Sequence, residues 1–119
     1  MTPAQAISAL DRHLAAAGQD AVLRRWTGTG SARTPIDVPV RIRAQDYRVE
    51  ELVGGIEQGD TRVVLSPTQI VAAGWPGPPQ GWPRPGDAIV IAGRERSIIA
   101  APPQVMDDVV VRIDMVVRG

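Results

Sequence analysis

The sequence predicts a mainly β fold: a β-barrel-like curled antiparallel sheet with an N-terminal α-helix and one or two short helices, in a single domain over residues 1–119. Three observations carry that expectation. Ile36, Val38, Val40, Ile42 and Ala44 alternate with Asp37, Pro39, Arg41 and Arg43, a period of two with one apolar face. Val109, Val111, Ile113, Met115 and Val117 repeat the pattern near the end of the chain. The other apolar runs are short and separated by Gly, Pro and Asp turns, without the strand–helix rhythm of a parallel sheet. Neighbouring antiparallel strands that each bury one face curl toward a small barrel.

A helix is predicted first, over about residues 3–17. Thr2 is placed to cap it, Pro3 suits the first helical position, and Gln5 can reach back to complete a capping box. Ile7, Leu10, Leu14 and Ala17 form one apolar stripe, and Gly18 is a stop. A helix this short is marginal alone, so it has to pack on the β-rich part, about residues 21–118. Residues 21–27 form a strand whose alternation is blurred by Arg24 and Arg25, and residues 28–35 a polar loop. Pro39 cannot donate to a ladder, which puts the next strand at an edge or bulges it there. A helical turn over 49–53 is ended by Gly54 and Gly55; a turn follows at 58–60, then a strand over 61–65.

Ser66-Pro67-Thr68-Gln69 repeats the helix-start grammar, so a short helix is expected over 67–73, ending at Gly74. Residues 74–86 hold five prolines, four glycines and two tryptophans, which suits neither a helix nor a central strand. Residues 88–92 and 97–101 make a hairpin about Gly93-Arg94. Pro102-Pro103 breaks the chain, and the final strand follows.

Composition narrows the chemistry. The formal net charge is zero, so bulk attraction to nucleic acid is not expected. Cysteine is absent, which removes disulfides, thiolate catalysis and Cys-ligated zinc. All thirteen basic residues are Arg, so a Walker lysine is missing too. No apolar run approaches the roughly 20 residues of a membrane span, and the N-terminus lacks a signal-peptide pattern; a reducing cytoplasm is expected. His13 has no nucleophile or orienting acid at a useful spacing. Asp107-Asp108 reads as a turn and Glu50-Glu51 as a solvated face; no cofactor, metal or catalytic residue is expected.

Two groups of residues stand as interaction candidates. Arg41 and Arg43 share the wet face of one strand, and Arg24 and Arg25 lie in a neighbouring one. Together they make a candidate basic face, able to touch phosphates or to meet Asp and Glu of a partner. Trp75, Trp82 and Arg84 lie in the Pro/Gly-rich segment. The tryptophans are either interface anchors or a cap on the core's open end, and one can do each job.

The run PRPGDAIVIAGRERSIIAAPPQVMDDVVVRIDMVVRG resembles the C-terminal half of phage head–tail joining proteins, also called head-completion or stopper proteins. The corresponding features are Gly86-Asp87, the strand at 88–92, Gly93, the return at 96–101, Pro102-Pro103 and the last strand at 109–119, preceded by the helix in SPTQIVAAG. The resemblance implies a non-enzymatic protein of the virion neck, assembled in the host cytoplasm. It implies a homo-oligomeric ring that docks below portal and adaptor proteins and helps retain packaged DNA. The ring would offer a surface to tail terminator or tail tube proteins, with a loop of each subunit in non-specific contact with DNA and no membrane contact. The loop at 74–86 or at 28–35 is the candidate for that part. A tail terminator is the nearest alternative. A single-stranded nucleic-acid-binding barrel is the alternative of another class, although only Trp26 sits among arginines.

Overall fold

Helix α1 spans Pro3–Ala17, as its end signals require. The computed structural model describes residues 1–46 and 59–119. The helical turn expected over 49–53 and the Glu50-Glu51 pair lie outside the described residues. Gln5 N–H donates to Thr2 Oγ1 at 3.1 Å and Thr2 N–H donates to Gln5 Oε1 at 2.8 Å, closing the capping box. Gly18 ends the helix without a left-handed backbone, at φ −95°. A Cβ there would stand 2.5 Å from the Leu14 carbonyl oxygen and 2.6 Å from that of Ile42. Glycine is thus required by the close approach of helix and strand backbones rather than by a turn.

Strands β1 (Gln19–Thr27) and β2 (Thr34–Asp46) pair antiparallel, joined by a loop with a 3-10 turn at Gly30–Ala32. Strand β3 (Thr61–Leu65) pairs with β2 and is followed by α2 (Thr68–Ala73). Then come β4 (Ala88–Ile91), β5 (Arg94–Ala100), β6 (Pro103–Met106) and β7 (Val109–Arg118). The sheet order is β3-β2-β1-β4-β5-β7-β6, and β3 also pairs with β7. That pairing closes six strands into an antiparallel barrel and leaves β6 outside as an extension of β7. The mainly β, barrel-like fold with its N-terminal helix is therefore the one the alternation predicts.

The Pro102-Pro103 break differs from expectation, while the Asp107-Asp108 turn and the edge at Pro39 agree with it. Pro103 opens a strand instead of ending one; proline is compatible with the first residue of an edge strand. Asp107 and Asp108 form the turn into β7 with φ of 48° and 62°, the pattern of a two-residue hairpin. Pro39 sits opposite Val22 with no register shift, so the strand is not bulged there. It is an edge at that point, because β3 pairs only with Ile42–Asp46 of β2.

The interior is mostly aliphatic in a chain without Phe: Leu23, Ile42, Val63, Leu65, Ile89, Ile98, Ile113, Met115 and Val117 are all buried, with Trp75 as its one buried aromatic among the described residues. Helix α1 packs against β7 and β2 and buries Leu14. Helix α2 starts with Ser66 Oγ accepting from Thr68 N–H at 3.2 Å and stops at left-handed Gly74, φ 64°. The second capping box does not form. Gln69 Oε1 is instead buried without a partner among the described residues.

Polar side chains finish the inward rows. Arg25 follows Ala21 and Leu23 on the core face of β1 and binds Asp87 with two bonds of 2.9 Å. Arg96, two residues before Ile98, donates across to Thr61 Oγ1 at 2.8 Å.

Candidate interaction surface

The Pro/Gly-rich segment is folded onto the barrel. Trp75 is 2% exposed; its indole N–H donates to the Ile36 carbonyl at 2.9 Å, and Arg25 lies over the ring at 4.9 Å. Trp75 therefore takes the core-capping role and is not available as a partner or lumen anchor. Trp82 is half-buried against the core, and its carbonyl accepts from Arg25 at 3.1 Å. Backbone bonds Gly77 N–H to Gly74 O, 2.8 Å, and Gly81 N–H to Trp75 O, 2.9 Å, fix the curve between the two tryptophans. Arg84 donates its backbone N–H to Asp87 at 3.0 Å. Its side chain is exposed and has no hydrogen-bond partner among the described residues, so it is the outward-facing member of the three.

The four basic-face candidates do not form one surface. Arg24 and Arg25 are consecutive on β1 and point to opposite sides of the sheet, as strand geometry demands. Arg24 grips Asp37 at 2.8 and 3.0 Å and also reaches Glu95 at 3.2 Å. The Asp37 bond, helped by Glu95 and opposed by desolvation, holds its pKa above the ordinary arginine value. Arg41 closes the C-terminus of α1, donating to Leu14 O at 2.9 Å and Ala15 O at 3.3 Å, and pairs with Asp20 at 3.1 Å. Arg43 faces His13 at 3.1 Å. The partners Asp37 and Asp20 sit directly opposite Arg24 and Arg41 in register, so this face is largely charge-balanced.

Trp26 does sit among arginines, but its ring is covered by Arg33 at 3.9 Å and approached by Arg24 at 5.3 Å, while its N–H is bound to Glu95 at 3.0 Å. A base could stack there only by displacing Arg33.

What the surface offers instead is an apolar groove of about 610 Å³ between α1, α2 and the start of β7. Ile7, Val71, Trp82, Val109 and Val110 line it, with Thr68 and Asp108 as polar members. Val71 and Val109, both in the groove lining, are 54% and 43% exposed. A third exposed valine, Val105 at 57%, lies on β6, whose outer edge has no strand partner among the described residues. No family model matches this chain, and no curated protein matches it either. Among the described residues no group of three or more His, Cys, Asp and Glu could hold a metal, and no helix is long and apolar enough to cross a membrane.

Of the groove, sequence reading singled out Trp82 alone. One signal was available: Ile70-Val71 puts apolar residues on two faces of a short helix, so one of them has to be left outside the core. Val109 carried none, because it falls in the same alternating row as the buried Val111 and Ile113.

Proposed function

We propose that this protein is a structural subunit of a phage neck, a head–tail connector or stopper. It docks as a ring below portal and adaptor proteins, helps retain packaged DNA and presents a surface to the tail. The observation that carries this reading is the exposed apolar groove walled by Ile7, Val71, Trp82 and Val109 on a barrel whose polar pairs are spent internally. Such a surface works by contact rather than by chemistry.

The order of elements supports the same reading. Over residues 61–118 the chain runs strand, short helix, Gly-Asp turn, hairpin and last strand, the series that the resemblance to joining proteins implies, with the short β6 standing where that series has a broken link. A ring of identical subunits needs two unlike patches on each. The groove supplies one. The open edge of β6, or the one-sided stretch of β2, supplies a second, suited to sheet extension between neighbours. Arg84, exposed beside Trp82, and the exposed loop at Gly28–Arg33 remain the candidates for contact with DNA.

The test is reconstitution. DNA-filled capsids that lack this protein are mixed with purified protein and then with complete tails. Recovery of tailed, infectious particles is expected. Protein that never associates with capsids or necks contradicts the proposal, and rescue only when it is first bound to tails assigns it to the tail terminator instead.

A further inference from the structure

The outer faces of β2, β3 and β7 meet α1 along a small hollow of about 170 Å³. Outward residues alternate with the buried rows, so Arg43 of β2, Arg62 of β3 and Arg112 of β7 come to one side of the barrel. His13 of α1 closes the hollow from the helix side, and Gln45 and Val64 complete its floor. Three guanidiniums and an imidazole thus line one space, with no carboxylate among the described lining residues. Asp114, an acid on the same face, is opposite Val64 in register and is already bonded to Arg112 Nε at 2.8 Å and to Gln104.

Arg43 is the unusual member. Arg24, Arg25, Arg41 and Arg118 each bind a carboxylate. Arg43 Nη1 instead points at His13 Nε2, 3.1 Å away. A guanidinium has donors only, so the ring nitrogen can join this contact only as an acceptor. A cation that meets an imidazole instead of a carboxylate, in a hollow without acids among the described residues, lacks there the anion that Arg24, Arg25, Arg41 and Arg118 have.

We propose that this hollow binds a phosphate-type oxyanion, with Arg43 and Arg112 as its principal ligands and His13 at its rim. The anion takes the place of the His13 lone pair as acceptor for Arg43 Nη1, and planar guanidiniums suit its paired oxygens. The space accommodates one tetrahedral oxyanion with a few waters, each needing about 30 Å³. The site does not depend on the neck reading. The phosphate can be free or part of a nucleic-acid backbone.

The full-length protein, labelled with nitrogen-15, is titrated with sodium phosphate and, at matched ionic strength, with sodium chloride, while the Arg43 and Arg112 Nε–H and His13 ring signals are followed by NMR. Saturable shifts with phosphate alone are expected. Arg43→Gln should weaken binding by about tenfold or more, the worth of one charge-assisted bond. Arg94→Gln, at an exposed position outside the hollow, should leave it unchanged. Arg43 makes its bond with an exposed histidine, so the variant should fold; His13→Gln provides a second reading of the same contact. A short DNA strand that shifts the same signals at lower concentration, and is displaced by phosphate, assigns the source to nucleic acid; no such gain assigns it to free phosphate. Absence of saturation, an equal response to chloride, or undiminished binding by Arg43→Gln overturns the proposal.

Discussion

Arg25 and Asp87, 62 residues apart in the chain, meet through two parallel bonds of 2.9 Å where the core row of β1 runs out. Asp87 is only 4% exposed and also accepts from the Arg84 N–H at 3.0 Å; Trp75 lies beneath the guanidinium at 4.9 Å. One pair therefore ties β1, the start of β4 and the Pro/Gly-rich segment together. Removing one member of a buried pair strands the other charge. Asp87→Ala is expected to cost about 3–5 kcal/mol of folding stability in urea titration. A loss below about 1 kcal/mol, the scale of a surface pair, would mean the contact is not buried in solution.

Trp75 combines packing with a bond to the Ile36 carbonyl. Trp75→Ala should cost about 3–5 kcal/mol through the cavity it leaves. Trp75→Phe keeps much of the ring and loses chiefly the N–H bond, about 1 kcal/mol. Acrylamide quenching offers an independent check. Trp75 emission should be shielded relative to that of Trp26 and Trp82, both of which are partly exposed.

These two residues also mark where sequence reading stops. Alternation along β2 and β7, the Thr2–Gln5 box and the Gly74 stop depend on neighbours a few places away, and the chain declares them. That Arg24 and Arg25 face opposite ways follows from the same period of two. Their partners do not. Asp37 lies 13 positions from Arg24 and Asp87 lies 62 from Arg25, so only register and barrel closure identify them. Strand β6 was hidden behind Pro102-Pro103, a break signal that a sheet edge tolerates. The groove gathers α1, α2 and β7 from both ends of the chain, and no local pattern encodes that meeting.

Gly18 gives a sharp test of the helix–barrel junction. An added methyl group would press on two backbone oxygens, at 2.5 and 2.6 Å, neither of which is the end of a flexible side chain. Gly18→Ala should destabilise the protein by about 1–3 kcal/mol even though alanine is the better helix former. Thermal unfolding followed by circular dichroism measures it. An unchanged or raised midpoint would show that α1 does not sit this close to β2.

The groove separates stability from association. Val71 and Val109 are exposed enough that Val71→Asp and Val109→Asp should shift unfolding by no more than about 0.5 kcal/mol. The same substitutions place unpaired charge in an apolar contact and should abolish tail joining in the reconstitution assay. Folded variants that join tails as well as the parent would exclude the groove from the interface.

The most direct measurement of the central proposal is an electron cryomicroscopy reconstruction of the portal vertex in particles that contain this protein. The account predicts a ring of repeated barrels between the portal–adaptor assembly and the tail, each fitting the closed six-strand barrel with α1 and the groove against a neighbouring subunit or ring. A vertex whose density is fully explained by other proteins, with this chain absent from purified particles, would contradict it.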